Sequence, residues 1–186
     1  MSTVSRRTVL RDQTSEAHAT LDARVSPLLS AEGYRDYLVG LHAFRHATEE
    51  RLRTAAFPAE FDGWAPTRIA AHLQDDLADL DATPAPVALP IPEAPDQSEV
   101  CGIAYVLEGS AFGARILIRM ARELGHDETR GARHLAAQSR NLDNWRRFQA
   151  CLDSAEPFDL DRAVTAAQAT FRAASLAFER PVYASV

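Results

Sequence analysis

The stretch Tyr105–Leu124, YVLEGSAFGARILIRMAREL, places GSAFGA in the middle of an otherwise apolar helical pattern. Gly109 and Gly113 lie four residues apart, so a helix carries both on one face. Glycine costs a helix interior roughly 1 kcal/mol relative to alanine, and a pair of glycines there needs a reason. We expect the backbone to bend at this point or to be approached closely by something flat.

A second informative segment is LRDQTSEAHATLD, Leu10–Asp22, which carries one histidine on a predicted N-terminal helix. Asp22 follows His18 by four residues, so its carboxylate can accept the proton of the ring nitrogen that does not bind a metal. Arg11 lies two turns earlier on the same face, about 10 Å away, within reach of a ligand carboxylate. A single histidine on an apolar face is usually a core residue, and only this spacing favours a ligand role. We expect His18 to point inward and, with the glycine face, to hold a heme between two helices.

Composition bounds the class of protein. The chain has 186 residues, of which 46% are apolar, and this predicts one domain covering residues 1–186. The net charge of −6 gives no general attraction for nucleic acid or for a membrane surface. Residues 115–147 nevertheless contain eight arginines against four acids. This local excess indicates either a dock for an acidic protein or an ordinary solvated face.

The number of cysteines and the hydropathy of the chain indicate the cellular compartment of the protein. Cys101 and Cys151 are the two cysteines, which excludes a disulfide scaffold and predicts a reduced, cytoplasmic protein. The segment SRRTVL is similar to the start of a twin-arginine export signal, but the chain continues as RDQTSEAH rather than as an apolar stretch. No run approaches the roughly 20 apolar residues of a membrane span, so we expect no membrane anchor.

Apolar residues recur at helical spacing along nearly the whole chain, which predicts the all-α class. Ser30 is the expected N-cap of a second helix, Pro66 the first residue of a third, and Ser98 the cap of the glycine-bearing helix, which ends near Gly125. Five prolines between Pro84 and Pro95 predict an extended connector. The other predicted helices cover residues 5–25, 127–138 (a turn or a short helix), 141–152 and 160–179.

These residues resemble the heme oxygenases. LR and T before His18, with L and an acid after it, look like the proximal helix of that family, and YVLEGSAFGARIL looks like the distal helix of its bacterial branch. NWRRFQACL and TFRAASLAFE are similar to its closing helices, so the resemblance covers almost the whole chain. It implies an all-α, single-domain bundle with heme between the first helix and a kinked distal helix. It also implies oxidative cleavage of heme, as both cofactor and substrate, to biliverdin, CO and ferrous iron.

The resemblance also assigns roles by position. His18 is then the axial ligand and Asp22 its orienting partner, whereas the distal stretch above the iron comprises Gly109, Ser110, Gly113 and Ala114. The expected propionate contacts are Arg11, Tyr105 and Arg146. Ser110 stands where the mammalian-type enzymes carry a carboxylate, and this leaves open which groups order the distal water.

The implied reaction needs O2 and electrons from outside. The resemblance therefore implies a ferredoxin, a flavodoxin or a reductase as donor, and we expect it to dock on the arginine-rich stretch 115–147. It leaves open whether the reaction serves iron acquisition or supplies a biliverdin-using photoreceptor.

Two other functions fit parts of the pattern. A heme sensor or carrier on the same fold keeps His18 without turning heme over. A nonheme di-iron oxygenase would use His42, His46 and Glu49 as ligands, but the stretch HAFRHATEE looks like a solvent face. We also expect His72 to be partly buried and His134 to lie near the surface.

Overall fold

The structure is a computed structural model that describes residues 5–25, 30–179 and 181–184. Its described part is all-α, as the periodicity predicts, with the connector at residues 83–96 outside any helix. The helices are α1 (Arg6–Val25), α2 (Ala31–Arg53), α3 (Ala70–Asp79), α4 (Gln97–Gly109), α5 (Ala111–Glu123), α6 (Arg133–Arg140), α7 (Leu142–Ser154) and α8 (Leu160–Glu179).

Capping residues explain where two of these helices begin. The Ser30 side chain accepts a hydrogen bond from the backbone N–H of Gly33 at 3.0 Å, which confirms the expected cap of α2. The prediction that Ser98 caps the next long helix is wrong. Asp96 is the N-cap of α4 and forms a capping box with Glu99, because its carboxylate and the glutamate satisfy two otherwise free N–H groups.

The third helix begins four residues later than the sequence predicts. Pro66 lies outside it, and α3 starts at Ala70 without a side-chain cap of its own. The carboxylate of Glu49 on α2 takes that role, because it accepts the N–H groups of Ile69 at 2.9 Å and Ala70 at 3.3 Å. A long-range acceptor of this kind leaves no local signal in the sequence.

The long apolar stretch is two helices rather than one. The helix ends at Gly109 and resumes at Ala111, with Ser110 between them at φ −66° and ψ −15°. The helix is therefore interrupted within the stretch where the sequence predicts a bend. By length and composition alone, Gln97–Glu123 passes for a membrane span, with a mean hydropathy of 1.4 over its best window. Half of that window is buried inside the fold, and the buried part includes Val100 to Glu108 of α4.

Helix α8 is the centre of the bundle, and α4, α1 and α2 pack around it. Its buried face consists largely of alanines, among them Ala163, Ala167 and Ala174, which let neighbouring helices approach closely. The approach of α4 is closest at Gly102, where an added Cβ would lie 2.2 Å from the carbonyl oxygen of Ala163. A second group of buried residues joins α2, α3, α5 and α6.

Two buried polar networks contradict sequence expectations. The stretch HAFRHATEE is not a solvent face throughout, because Arg45 is 1% exposed and its Nε donates to Glu49 at 2.9 Å. His134 is fully buried rather than superficial, and its Nδ1 lies 2.7 Å from Asp76. His72, by contrast, is exposed.

Candidate functional site

Helix α1 carries His18 on its solvent side. The His18 side chain is 57% exposed, so the prediction that it points inward with Leu10 is wrong. Helix α1 packs against α8 and α7 through Leu10, Thr14 and neighbouring residues, and His18 lies on the adjacent face. The ring is therefore available to a ligand.

Two contacts orient the imidazole of His18. Its Nδ1 lies 2.9 Å from Oδ2 of Asp22, the pairing that the four-residue spacing predicts. Its ring also meets the buried ring of Phe171 on α8 edge-on, with centroids 5.7 Å apart and an interplanar angle of 66°. When Nδ1 donates its proton to Asp22, Nε2 keeps a free lone pair.

Helix α5 has a bare and partly apolar outer face. A Cβ added at Gly113 would meet no heavy atom within 4 Å, and one at Gly109 would lie 3.9 Å from the ring of Trp145. Phe112 is 54% exposed and Ile116 is 60% exposed. Exposed large apolar side chains beside an open glycine are typical of a surface that binds a flat apolar ligand.

Tyr105 and Trp145 lie in the region between α1 and α5. Their rings are 5.8 Å apart, and Trp145 also contacts Phe112 edge-on at 6.5 Å. Burial raises the pKa of Tyr105, and a hydrogen bond with the Thr14 hydroxyl partly offsets that rise. The phenol is consequently protonated at neutral pH and is able to donate a hydrogen bond.

Ser110 joins the break between α4 and α5 to α6. Its hydroxyl donates to the carbonyl of Leu107 at 2.6 Å and accepts from Nε2 of Gln138 at 2.8 Å. Below it, the carboxylate of Glu108 accepts from the N–H of Thr67 at 2.6 Å and from Asn144 at 3.1 Å. These bonds hold the break in place.

The remaining predicted site residues are distributed as follows. Arg11 is exposed on α1 and pairs with Asp12 at 2.9 Å, and Arg146 is exposed on α7 and pairs with Asp143 at 3.0 Å. Both guanidinium groups are free to move toward an anionic ligand. Ala114 is 1% exposed and packs in the core of α2, α3, α5 and α6, away from the open face beside Gly113.

The arginines of residues 115–147 do not form one continuous, unpaired basic surface. Arg133 turns inward and binds Asp76 and Asp79. Arg122 pairs with Glu128 at 3.2 Å. Arg115 and Arg119, both exposed on α5, form no ion pair with a residue that the structure describes. Arg130 and Arg147 are exposed as well and bind only the backbone carbonyls of Asp79 and Gly63, so the unpaired positive charge includes α5 without being confined to it.

The residues of this region fit a heme. An oriented imidazole lies on one helix, an open glycine face flanked by Phe112 and Ile116 lies on another, and a protonated phenol lies between them. One surface groove of about 460 Å³ lies against α2 and α3, and another of about 570 Å³ lies between α1 and α8 and is lined by Phe171, the contact of His18. The proposed heme face is therefore an open surface in this structure rather than a closed cavity.

Comparisons with known proteins agree with this geometry. The chain is 33% identical over 156 residues to heme oxygenase PigA of Pseudomonas aeruginosa, which spans 77% of this chain and 75% of that protein. It is 30% identical over 145 residues to a heme oxygenase of Xanthomonas campestris, covering 77% and 87% of the two chains. The chain belongs to the heme oxygenase family. It is an enzyme of the heme oxygenase type.

The fold comparison extends over more of the chain. A crystal structure of the NO- and CO-bound heme oxygenase from Neisseria meningitidis matches with a TM-score of 0.75 at 23% identity, covering 95% of this chain and 91% of that one. This likeness confirms the predicted all-α heme oxygenase fold. A search of family models found no match.

Sequence reasoning missed three contributors to this region. Two of them are Phe171, which contacts His18, and Trp145, which contacts Tyr105. In the sequence both look like ordinary core aromatic residues of amphipathic helices. Gln138, which donates to Ser110, lies on a short helix whose extent the sequence did not define. Only the three-residue spacing of Trp145 and Phe148, whose rings stack 5.6 Å apart, gave a local signal.

Proposed function

We propose that this chain cleaves heme to biliverdin, CO and ferrous iron, with O2 and electrons from an external donor. The observation that carries the proposal is His18, whose Nδ1 is held by Asp22 at 2.9 Å while the ring stays exposed. A heme, when bound, supplies the iron that activates O2 and the porphyrin carbon that is oxidised.

His18 would hold the iron through Nε2. Asp22, whose Oδ2 lies 2.9 Å from Nδ1, would accept the Nδ1 proton and so fix the tautomer and the ring orientation. Phe171 limits rotation of the ring from the α8 side. A neutral ligand suits this reaction, because a thiolate would favour cleavage of the O–O bond.

Three side chains bind the propionates. Arg11 and Arg146 are exposed and flexible, and each exchanges a weak surface ion pair for a ligand carboxylate. Tyr105 donates a hydrogen bond from a hydroxyl that burial keeps protonated. Together they orient the porphyrin between α1 and α5.

Gly109 at the end of α4 and Gly113 on α5 leave the backbone open toward the ligand, and Phe112 and Ile116 would exclude water around it. The Ser110 hydroxyl donates to Leu107 and accepts from Gln138, so a single lone pair is left to accept a hydrogen bond from a distal water. We infer a positioning role for Ser110 on the distal side, whereas Ala114 packs in the core and takes no part in the proposed ligand face.

The donor is a ferredoxin, a flavodoxin or a reductase with an acidic surface, and it docks on Arg115 and Arg119. Reversing both charges to glutamate should lower donor-driven turnover strongly at low salt and leave ascorbate-driven turnover unchanged. Arg53→Glu, an exposed arginine on α2, is the matched control. Equal donor-driven rates in the wild type, the double variant and Arg53→Glu would contradict the proposal that the donor docks on α5.

Aerobic reduction of the hemin complex tests the proposed reaction. With ascorbate or ferredoxin, the Soret band should disappear while biliverdin absorbance and CO develop. A heme sensor or carrier would instead retain its Soret band through repeated reduction. That result would refute cleavage while leaving heme binding intact.

We also propose that the protein works in the cytoplasm, where Cys101 and Cys151 stay reduced. Both thiols are free, and Cys101 is buried. Fractionation of cells that produce the protein tests this location. Recovery in the periplasmic fraction would contradict it.

A further inference from the structure

A surface groove beside α2 holds two stacked histidines. It has a volume of about 460 Å³ and lies between α2, α3 and residues 82–84. His42 and His46 line it, with ring centroids 5.8 Å apart and an interplanar angle of 9°. Neither ring takes part in a hydrogen bond with a described residue, so their nitrogens have no competing partner there.

The spacing of these histidines suits metal binding. Two histidines four residues apart lie on one helix face, the arrangement by which a helix supplies two imidazoles to one zinc ion. Imidazole is a good ligand for nickel, copper and zinc ions, and it must be neutral to bind.

The other ligands must be an amide or water. Gln74 on α3 lines the same groove and carries an amide oxygen. Glu49 is not available, because its oxygens accept from Arg45, Ile69 and Ala70. This engagement removes the third ligand of the di-iron alternative. No cluster of three or more histidine, cysteine or acidic residues suited to a metal is present in the described part of the chain.

We propose that His42 and His46 bind one divalent transition-metal ion of the nickel, copper and zinc class, with Gln74 or water completing its coordination. Two imidazoles and several waters give an exchangeable site rather than a structural one. The site does not depend on the proposed heme reaction. It would let the protein sense or carry a free metal ion at a surface separate from His18.

Nickel binding to the full chain without heme tests the proposal. We would titrate Ni²⁺ alone by calorimetry into the wild type and into His42→Ala and His46→Ala. Each variant should lose at least about tenfold in affinity, since loss of even an outer partner of a metal site costs that much. His72→Ala, at an exposed histidine on α3, serves as the control and should bind Ni²⁺ as the wild type does.

A second measurement needs no variant. Substoichiometric Ni²⁺ should broaden the ring proton resonances of His42 and His46 in the wild-type spectrum and leave those of His72 sharp. Broadening confined to other histidines would overturn the proposal. Equal Ni²⁺ affinity in the wild type and a His42→Ala, His46→Ala double variant would overturn it as well.

Discussion

Helices α4 and α5 come from one apolar stretch and yet have opposite surroundings. Nearly every residue of α4 from Val100 to Glu108 is buried, whereas α5 buries three residues and exposes Phe112 and Ile116. Ser110 separates them. Both helices carry glycine, but Gly102 allows close packing of α8, and Gly113 faces open space.

This difference shows that an apolar helix need not be a core helix. In α4 the apolar side chains stabilise the fold, because they are removed from water by α8. In α5 two of them, Phe112 and Ile116, remain in water, where they add nothing to the stability of the fold. We interpret that exposure as the wall of a ligand site, and the predictions below test it.

The largest expected effect is on the buried end of α4. Glu108→Ala removes the acceptor of Thr67 and Asn144 and should lower the free energy of unfolding by about 3 kcal/mol. Denaturant titration measures the loss. Glu108→Gln, which keeps an acceptor oxygen, should lose clearly less. A loss below about 0.5 kcal/mol for the alanine variant, the range of ordinary surface changes, would mean that the network does not stabilise α4.

The next largest effect is expected at Gly102, where α4 approaches α8 most closely. Gly102→Ala forces a methyl group toward the Ala163 carbonyl, and we expect it to destabilise the fold by about 2 kcal/mol. Thermal and chemical denaturation should both detect the change. Unchanged stability would show that α4 and α8 are less tightly packed than described.

Gly113→Ala should behave in the opposite way. The added methyl group meets nothing, and alanine favours a helix, so stability should rise by up to about 1 kcal/mol. Because the methyl group occupies the proposed ligand face, hemin affinity should fall at the same time. A variant that is more stable and binds hemin as the wild type does would remove Gly113 from the site.

The smallest expected effect is the pH dependence of stability that arises from His134, which lies on α6 beside α5. Burial lowers the pKa of His134 and outweighs its contact with Asp76. The unfolded chain therefore binds a proton near pH 6.5 that the folded chain does not. The contribution of neutral, buried His134 to the free energy of unfolding is consequently complete above pH 6.5 and declines as the pH falls below it. Hydrogen exchange, corrected for its intrinsic pH dependence, should show α5 and α6 losing protection before α4 does. Parallel losses in all three helices would contradict this.

Much of this architecture could be predicted from local patterns. Helical periodicity gave the all-α class, and α8 begins and ends at the predicted residues, Leu160 and Glu179. The start of α3 could not be predicted, because its N–H groups are satisfied by Glu49, which lies twenty residues away from Ile69 in the chain. The burial of Arg45 and His134 depends on partners on other helices in the same way.

The candidate site shows the same division. The Asp22 contact of His18 is a local pairing, and the sequence predicted it. The contact with Phe171 joins residues from the two ends of the chain and had no local signal. The exposure of His18 could not be predicted from the sequence. A helix face that binds an apolar ligand and a helix face that packs in the core both carry apolar residues, so the sequence pattern is similar in the two cases.

The most direct test of the ligand assignment is the spectrum of the hemin complex of His18→Ala. Wild-type protein should bind one hemin with a histidine-ligated spectrum, His18→Ala should lack that spectrum, and added imidazole should restore it. An unchanged spectrum in His18→Ala would contradict the assignment of His18 as the axial ligand.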